Sequence, residues 1–468
     1  MLFNSVAFLI FFSIFFFLFY FLNGIQRKIL LLIASCIFYM WFIPVYVLIL
    51  FITIFIDYYA AQKIEDTDSQ RKKKHHLLLG IVNTCIVLFV FKYYNFFIDN
   101  FNAMGFHQLP NWHIILPIGL SFHTFQSLSY IIEVYRGNIK AERSLLTYSN
   151  FVMMFPQLVA GPIERANNLL PQLQKCDHVI TYKDFSVGLH RFFWGLFKKV
   201  VVADMASMFV DSTYNNYEFH PGSMLLVGTI LFAIQIYCDF SGYSDMAIGV
   251  ARMMGFRFNE NFRIPYFSKD ITEFWRRWHI SLSKWLKDYL YISFGGNRHG
   301  KWQTYRNLML TMLLGGLWHG ASWNFIIWGG INGLYLSIEK ATGLYKFHPR
   351  IFIAKALRVL YVFTLVSFSW IFFRAVTFHQ ATTIIKKIFL SFNSGEFKFL
   401  NENIFFSSMT GIFILLGFEY FVFKNFSFDQ LFEKKNGEIW LSAMTLFFIF
   451  LIILIGNSNG SQFIYFQF

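Results

Sequence analysis

The chain has 468 residues, of which 56% are hydrophobic and only 14% are charged, whereas soluble domains average roughly 25% charged residues. A chain with 64 phenylalanines cannot cover its surface with polar groups, so the composition excludes a soluble globule and indicates a membrane protein. The net charge of +14 does not indicate nucleic-acid binding, because the basic residues lie mostly between apolar runs, as the positive-inside rule expects.

The apolar runs are continuous and longer than the strands of about 10 alternating residues found in outer-membrane barrels. We therefore predict an all-α, polytopic fold with about eleven or twelve spanning or re-entrant helices. The four cysteines have no paired spacing, which argues against a disulfide framework and against a metal site: they are Cys36, Cys85, Cys176 and Cys238.

The N-terminal third consists of apolar runs separated by basic segments. The first 26 residues carry no charged side chain and lack the basic start of a signal peptide, so we expect an uncleaved first span. Three basic groups then fall on the same side of the membrane: Arg27 with Lys28, the segment Lys63–His76 and the segment Arg136–Arg143. Because basic loops stay in the cytoplasm, this pattern predicts an extracytoplasmic N-terminus. The predicted spans in between lie near Ile29–Phe42, Val45–Ala61, Leu77–Tyr93 and Trp112–Tyr135, with an outside loop around Asn95–Asn111.

The pattern changes after Asn150, where prolines and glycines interrupt the apolar sequence. Irregular backbone at membrane depth must be buried in protein or line a cavity, so Phe151–Leu173 is predicted to be re-entrant or interfacial. Further spans are predicted near Phe185–Met205 and Met224–Met246, the second interrupted by Asp239–Asp245. The segment Gly255–Arg306 has ten basic and four acidic side chains among several aromatics, a composition typical of an interfacial helix at the cytoplasmic headgroups.

Apolar sequence resumes after this basic stretch and continues to the C-terminus. We divide the chain into N-terminal transmembrane helices (1–145), a catalytic core with re-entrant and interfacial helices (146–340), and C-terminal transmembrane helices with an aromatic tail (341–468). The remaining apolar runs are Leu308–Leu317, Phe325–Ile338, Ile351–Phe373, Ile404–Phe423 and Ile439–Ile455. No internal repeat of the kind seen in many transporters is evident.

Two of the thirteen histidines have unusual surroundings. His319 lies in the apolar, glycine-rich run Leu313–Trp323, where an ionisable group is costly and usually functional; the alternative is a neutral histidine satisfied by a backbone carbonyl. The glycines allow close backbone packing and a re-entrant turn. His279 follows Trp278, and helical spacing would place Trp275, Trp278 and Leu282 on one stripe beside it; the alternative is an interfacial aromatic belt.

Four charged residues stand at apparent membrane depth: Glu133, Asp239, Asp245 and Arg374. Pairing between some of them is the simplest explanation, since buried charges are usually paired. An aspartate could also orient a catalytic imidazole and fix its tautomer.

Four motifs in order resemble those of the membrane-bound O-acyltransferase family. They are Phe155–Ile163, Asp239–Asp245, the stretch Trp275–Leu286 that continues to Arg298, and Leu317–Gly320. The first two resemble the bacterial branch that contains the alginate O-acetyltransferase membrane subunit.

The resemblance implies a helical ring with a cytosolic funnel, in which His319 is catalytic and His279 supports it. It implies candidate residues for the donor or funnel (Trp278, Arg276, Arg277, Ser281, Lys284, Asp288, Asn297 and Trp318) and supporting residues (Asp239, Asp245, Pro156, Gln157, Gly161 and Pro162). The expected donor is acetyl-coenzyme A, a polyanion that the basic stretch would attract; no permanently bound cofactor and no metal are expected.

The C-terminal sequence Gln462–Phe468 resembles the terminal aromatic motif of bacterial acyl-export systems, so Tyr465 is a candidate acyl carrier; an interfacial aromatic cluster is the alternative. The implied function is O-acetylation of an exported or cell-wall polysaccharide, with an SGNH-hydrolase-like extracytoplasmic partner and a location in the bacterial cytoplasmic membrane. Peptidoglycan O-acetylation, a teichoic-acid type of D-alanyl transfer and a non-catalytic export subunit are open alternatives.

Overall fold

A computed structural model of the chain describes residues 1–105, 109–112, 114–347, 349, 351–393, 402–457 and 463–464. All regular secondary structure in these ranges is helical, which confirms the predicted fold class. The first half contains α1 (Val6–Phe21), α2 (Gly24–Met40), α3 (Tyr46–Glu65), α4 (Gln70–Leu88), α5 (Tyr94–Ala103), α6 (Leu120–Tyr135), α7 (Leu145–Met153), α8 (Phe155–Leu158), α9 (Ala166–Gln174), α10 (Tyr182–Phe197), α11 (Asp204–Asn215) and α12 (Gly222–Met253).

The second half contains α13 (Ile271–Arg277), α14 (Ile280–Trp285), α15 (Lys301–His319), α16 (Trp323–Thr342), α17 (Phe352–Arg374), α18 (Phe378–Leu390), α19 (Glu402–Phe418), α20 (Phe428–Phe432) and α21 (Gly437–Ile455). Short π-helical segments extend several of these helices, at Phe89–Tyr93, Lys198–Ala203, Leu286–Tyr291 and Glu419–Phe423.

Six helical stretches in the described ranges are long and apolar enough to cross a membrane: Tyr46–Glu65, Gln70–Ala103, Gly222–Met253, Phe352–Arg374, Ile404–Phe423 and Gly437–Ile455. The protein is therefore a polytopic membrane protein, as predicted. The apolar window of α12 is 78% buried inside the protein, whereas that of the Gln70–Ala103 stretch is 11% buried. Helix α12 is thus a core helix, and the Gln70–Ala103 stretch has a surface suited to lipid.

The chain packs as two compact units. Unit 1 contains Met1–Leu189 and Ala247–Asn259, and unit 2 contains His190–Met246 and Glu260–Phe468. The division into segments 1–145, 146–340 and 341–468 was based on the expected role of each segment, and it stays a prediction.

Several local predictions were wrong. Helix α12 runs without interruption through Asp239–Asp245. The stretch Asn95–Asn111, predicted to be a loop, begins with helix α5. The basic side chains of Lys63–His76 lie mostly on the helices α3 and α4, with only residues 66–69 between them. Arg27 is buried in α2, where its guanidinium donates to the carbonyl oxygens of Phe19 (3.1 Å) and His178 (2.8 Å).

The predicted break in Phe151–Leu173 is confirmed. Helix α7 ends at Met153, the four-residue α8 carries Pro156 in its first turn, and an irregular segment precedes α9. Within unit 1, the buried carboxylate of Glu164 accepts hydrogen bonds from the backbone N–H (2.6 Å) and side-chain amide (2.8 Å) of Asn259. The side chain of Glu164, in the irregular segment, thus satisfies the backbone N–H of Asn259, which lies outside any helix.

Helices α15 and α16 form a close hairpin that depends on small residues. A Cβ atom on Gly316 would lie 2.2 Å from the carbonyl oxygen of Phe325, and one on Gly329 would lie 2.3 Å from the carbonyl oxygen of Met312. Both obstacles are backbone atoms, so neither can move aside like a flexible side chain. The glycines before His319 therefore serve close helix packing, as the sequence indicated.

We predict that Gly329→Ala lowers the free energy of unfolding by about 1–3 kcal/mol, because the added methyl group forces the two helices apart. The neighbouring Gly330 is a matched control, since a Cβ atom there would meet only a side-chain atom of Leu313 at 3.5 Å. Thermal unfolding in detergent should show a lower Tm for Gly329→Ala and an unchanged or higher Tm for Gly330→Ala. Equal Tm values for the two variants would contradict the close-packing argument.

Candidate active site

His279 lies at a sharp break between two short helices of unit 2. Helix α13 ends at Arg277, Trp278 is extended, and His279 adopts the left-handed conformation (φ 41°, ψ 57°) as the N-cap of α14. The prediction of one helical stripe of Trp275, Trp278 and Leu282 was therefore wrong. A left-handed conformation costs free energy for a residue with a Cβ atom and is frequent at functional sites. Here it fixes the direction of the imidazole.

Asn261 holds the imidazole of His279. Its side-chain oxygen lies 3.0 Å from Nδ1 of His279 and accepts a hydrogen bond from the hydroxyl of Ser281 at 2.8 Å. The amide nitrogen of Asn261 donates to the hydroxyl of Ser244 at 3.0 Å on α12. Since an amide oxygen can only accept, Nδ1 carries the proton and Nε2 carries the lone pair. The group that orients this imidazole is thus an asparagine, whereas the sequence offered an aspartate as one possibility.

Burial keeps the imidazole of His279 neutral. It is 1% exposed, and its removal from water lowers the pKa to about 3, because desolvation disfavours the charged form. A neutral imidazole in this tautomer can accept a hydrogen bond or a proton at Nε2.

His319 is the last residue of α15 and lies in an aromatic cage. Its ring centroid is 5.0 Å from that of Trp328 and 5.3 Å from that of Phe373. The Trp318 ring is 4.9 Å from the His319 ring and 6.4 Å from the His279 ring. The structure thus brings the two predicted histidines of unit 2 to the same indole. At a helix C-terminus the carbonyl groups favour a positive charge, so an imidazolium at His319 would be stabilised there.

Gly320, which follows His319, makes room for this cage. A Cβ atom at Gly320 would lie 2.1 Å from the ring of Phe325, and that ring packs against Phe373 at 5.0 Å between centroids. Phe373 in turn contacts His319. The glycine of the Trp-His-Gly sequence is therefore required by packing.

The residues predicted to contact the donor have several different environments. Trp278 is buried against Trp370, with 5.1 Å between ring centroids, and Ser281 is bonded to Asn261. The side chain of Arg277 pairs with Glu273, and Asp288 is half-buried. The members of this set that are exposed on the surface of unit 2 are Arg276, Lys284 and Asn297.

Asp239 and Asp245 neutralise cations that the sequence analysis did not single out. Lys199 lies 2.7 Å from a carboxylate oxygen of Asp239 and 2.7 Å from one of Asp204. Lys198 pairs with Asp245, to which Arg191 also donates at 2.8 and 2.9 Å. Buried charges require such partners, because desolvation is expensive.

The expected pairing among the four charged residues at membrane depth was wrong. Arg374 pairs with Asp211 at 2.7 Å, and Glu133 pairs with Arg136 at 3.3 Å. Each of the four charges is balanced by a residue outside the set.

Two residues of the aromatic tail, Phe463 and Ile464, contact helix α12. The backbone N–H of Ile464 donates to a carboxylate oxygen of Asp239 at 2.7 Å, and both residues are buried. The ring of Phe463 packs against Phe240 and Tyr243, at 5.9 and 4.9 Å between centroids. Tyr465, the predicted carrier, lies outside the described residues.

The predicted supporting residues of the first motif belong to unit 1. Pro156, Gln157, Gly161 and Pro162 are all buried. The amide of Gln157 donates to the carbonyl oxygen of Phe151 at 2.6 Å, and a Cβ atom on Gly161 would lie 2.6 Å from the carbonyl oxygen of Pro156. These contacts stabilise the helix break.

Sequence reasoning missed Asn261, Lys198, Lys199 and Arg191. A run of two lysines inside the apolar stretch Phe185–Met205 was the available signal, because each needs a buried carboxylate. Asn261 had no comparable signal, since it is one of several asparagines in a polar segment.

Comparison with known proteins identifies the class. The MBOAT, or membrane-bound O-acyltransferase, family matches residues 29–378. The probable alginate O-acetylase AlgI of Pseudomonas syringae pv. tomato is 45% identical over 88% of this chain and 79% of its own length. The protein of the same name from Pseudomonas putida is 40% identical over the whole of both chains. The peptidoglycan O-acetyltransferase of Helicobacter pylori is 36% identical over 78% of this chain and 74% of its own length.

The chain therefore belongs to the membrane-bound O-acyltransferase family. It is a multi-pass membrane enzyme of the O-acyltransferase class, as its motifs indicated.

We predict that acid destabilises the protein in part through His279. Unfolding restores an imidazole with a pKa near 6.5, whereas burial in the fold lowers that pKa to about 3. The unfolded state therefore binds more protons between these values, and stability is lost as the pH falls below 6.5. The variant His279→Asn should show a smaller fall in Tm between pH 7 and about pH 4.5, and asparagine tolerates the left-handed backbone.

The exposed His379 supplies the control for this measurement. His379→Asn should retain the wild-type pH dependence of Tm. If His279→Asn also retains it, the buried imidazole is not a source of the acid sensitivity.

Proposed function

We propose that the protein transfers an acetyl group from acetyl-coenzyme A for O-acetylation of an exported or cell-wall polysaccharide, with His319 as general base. The observation that carries the proposal is the pair of buried histidines that meet at Trp318 within unit 2. An acyltransferase needs a base that is neutral before the reaction and tolerates a proton during it. His319, in an aromatic cage at a helix C-terminus, is suited to both states.

The reaction proposed for His319 is a single transfer of the acetyl group from the thioester to an acceptor hydroxyl. His319 accepts the proton of an acceptor hydroxyl, the hydroxyl oxygen attacks the thioester carbonyl, and the tetrahedral intermediate collapses with loss of the coenzyme A thiolate. The thiolate then takes the proton from the imidazolium, which restores the neutral base. An O–C bond replaces an S–C bond, and the proton passes from the acceptor to the thiol.

His279 is proposed as the supporting residue of the same site. Its neutral imidazole is held by Asn261, and its ring contacts Trp318, so it can orient the indole and accept a hydrogen bond at Nε2. A fixed hydrogen-bond acceptor beside the base restricts the geometry of the reacting groups. This restriction lowers the entropic cost of reaching the transition state.

The donor assignment rests on charge. Exposed basic side chains cluster in the segment around the two histidine motifs, namely Arg276, Lys284, Lys287, Arg298, Lys301 and Arg306. Coenzyme A carries a 3′-phosphate and a 5′-diphosphate on its adenosine, so these basic residues would raise its local concentration. The positive-inside rule places this basic face and the donor on the cytoplasmic side.

The acceptor assignment rests on the relatives. Their names describe acetylation of alginate and of peptidoglycan, both of which lie outside the cytoplasmic membrane in bacteria. We propose that Tyr465 receives the acetyl group first and passes it to a serine of an SGNH-hydrolase-like extracytoplasmic partner, which esterifies the glycan. An extracytoplasmic N-terminus and a location in the bacterial cytoplasmic membrane complete the proposal.

The first test is His319→Ala. Loss of the base should lower the rate of acetyl transfer by about 10²–10⁴-fold, without a comparable loss of folded protein. The rate is measured as release of coenzyme A thiol from acetyl-coenzyme A by the purified protein. His379→Ala, which replaces an exposed histidine of unit 2, is the matched control and should retain activity. A folded His319→Ala variant with the wild-type rate refutes the role of general base.

The second test follows the acyl group. After incubation with isotope-labelled acetyl-coenzyme A, mass spectrometry should find the label on Tyr465 in the C-terminal peptide, and Tyr465→Phe should lose it together with activity. Activity in Tyr465→Phe without label on the tail overturns the carrier step. Transfer of D-alanine from a charged carrier protein, with none from acetyl-coenzyme A, would instead identify a D-alanyl transferase. No transfer from either donor would refute both donor assignments.

A further inference from the structure

We infer that Asp239 is a positioning residue that anchors the C-terminal tail for acyl transfer. The inference deepens the proposed function, since it rests on Tyr465 as the acyl carrier. Its structural basis is independent of that chemistry, because the anchor consists of the described residues Phe463 and Ile464 and their contacts on α12.

The two carboxylate oxygens of Asp239 have different bonding partners. Oδ1 pairs with the ammonium group of Lys199 at 2.7 Å, and Oδ2 accepts the backbone N–H of Ile464 at 2.7 Å. Asp239 is 3% exposed and Ile464 is 2% exposed. A hydrogen bond to a buried, ionised acceptor is stronger and more directional than one between neutral groups. The bond therefore fixes the backbone at Ile464.

Aromatic packing adds a second constraint. Phe463 is buried, and its ring lies against Phe240 and Tyr243, the residues one and four positions after Asp239. One face of α12 thus holds both residues of the anchor. Because aromatic rings bury a large apolar area and prefer defined edge or offset contacts, this packing also fixes the side chain of Phe463.

The same face of α12 reaches the histidine site. The Phe240 ring packs edge-on against the imidazole of His279, with 4.7 Å between centroids, and also contacts the ring of Phe463. His279 contacts Trp318, which contacts His319. A continuous set of ring contacts within unit 2 therefore connects the tail anchor with the proposed base. Tyr465 follows Ile464 directly in the sequence, so we infer that fixing Ile464 limits the reach of the proposed carrier.

Lys199 makes Asp239 available for this task. The lysine also pairs with Asp204 at 2.7 Å, so Asp239 is not its sole counter-charge. The buried ammonium group of Lys199 pairs with both carboxylates. The second oxygen of Asp239 can therefore accept the backbone N–H of Ile464. Asp204 is consequently a matched control, since replacing it alters the same ion-pair cluster but keeps the carboxylate that binds Ile464.

The test uses the full-length protein in detergent and measures amide hydrogen exchange of the C-terminal peptide beside labelling of Tyr465. We expect Asp239→Ala to speed exchange at the Ile464 amide by about tenfold or more, the scale of a lost hydrogen bond to a charged group. It should lower the labelled fraction of Tyr465 in parallel. Asp204→Asn should leave exchange and labelling near wild type, and peptides from α21 should be unaffected by either change.

A second pair of variants keeps the test decisive if Asp239→Ala does not fold. Ile464→Pro removes the donating N–H, whereas Ile464→Ala keeps it and removes only the side chain. Loss of labelling in Ile464→Pro, with labelling retained in Ile464→Ala, supports the anchor. Equal labelling in the two variants, or unchanged tail exchange in Asp239→Ala, overturns it.

The exchange experiment separates this inference from the proposed function. Faster tail exchange in Asp239→Ala in a protein whose Tyr465 is never labelled would keep the anchor and refute the carrier. Normal labelling of Tyr465 in a folded Asp239→Ala protein would keep the carrier and refute Asp239 as its positioning residue.

Discussion

The need to neutralise two buried lysines determines much of the arrangement in unit 2. Lys198 and Lys199 are consecutive residues in a π-helical segment, and burial of their ammonium groups is tolerated only with nearby carboxylates. Asp245 and Asp239, six residues apart on α12, supply them. The pairing fixes the rotation of α12 about its axis. This rotation places Phe240 beside His279.

Close backbone contact is the complement of this electrostatic constraint. A Cβ atom on Gly242 would lie 2.7 Å from the carbonyl oxygen of Gly195, so the part of α10 that leads into the lysines approaches α12 to backbone contact. Short lysine-to-aspartate distances need that approach. The Asp-Phe-Ser-Gly-Tyr-Ser-Asp motif thus combines counter-charges, a contact for the imidazole and a packing glycine on one uninterrupted helix.

Sequence patterns predicted those parts of the molecule that depend on local composition. Apolar runs predicted the helical fold, and the glycines around His319 predicted close backbone packing, because hydropathy and residue size are properties of each position. Pairings over long chain separations were not predictable in this way. Asn261 holds His279 from a different segment, and no periodicity marks it. The motif in α12 was mistaken for a helix break, since polar residues in an apolar run suggest irregular backbone unless buried partners such as Lys198 and Lys199 are considered.

The two histidines differ in how they are held, and that difference supports different roles. His279 is fixed by a left-handed backbone and by the oxygen of Asn261, so its imidazole has one tautomer and little freedom. His319 is surrounded by aromatic rings at the end of a helix, a setting that accepts a transient positive charge through the helix dipole and the ring faces. A base must change its charge during each turnover, whereas a positioning group should not. The more rigidly held imidazole of His279 therefore suits the supporting role, which is why we propose His319 as the group that takes the proton.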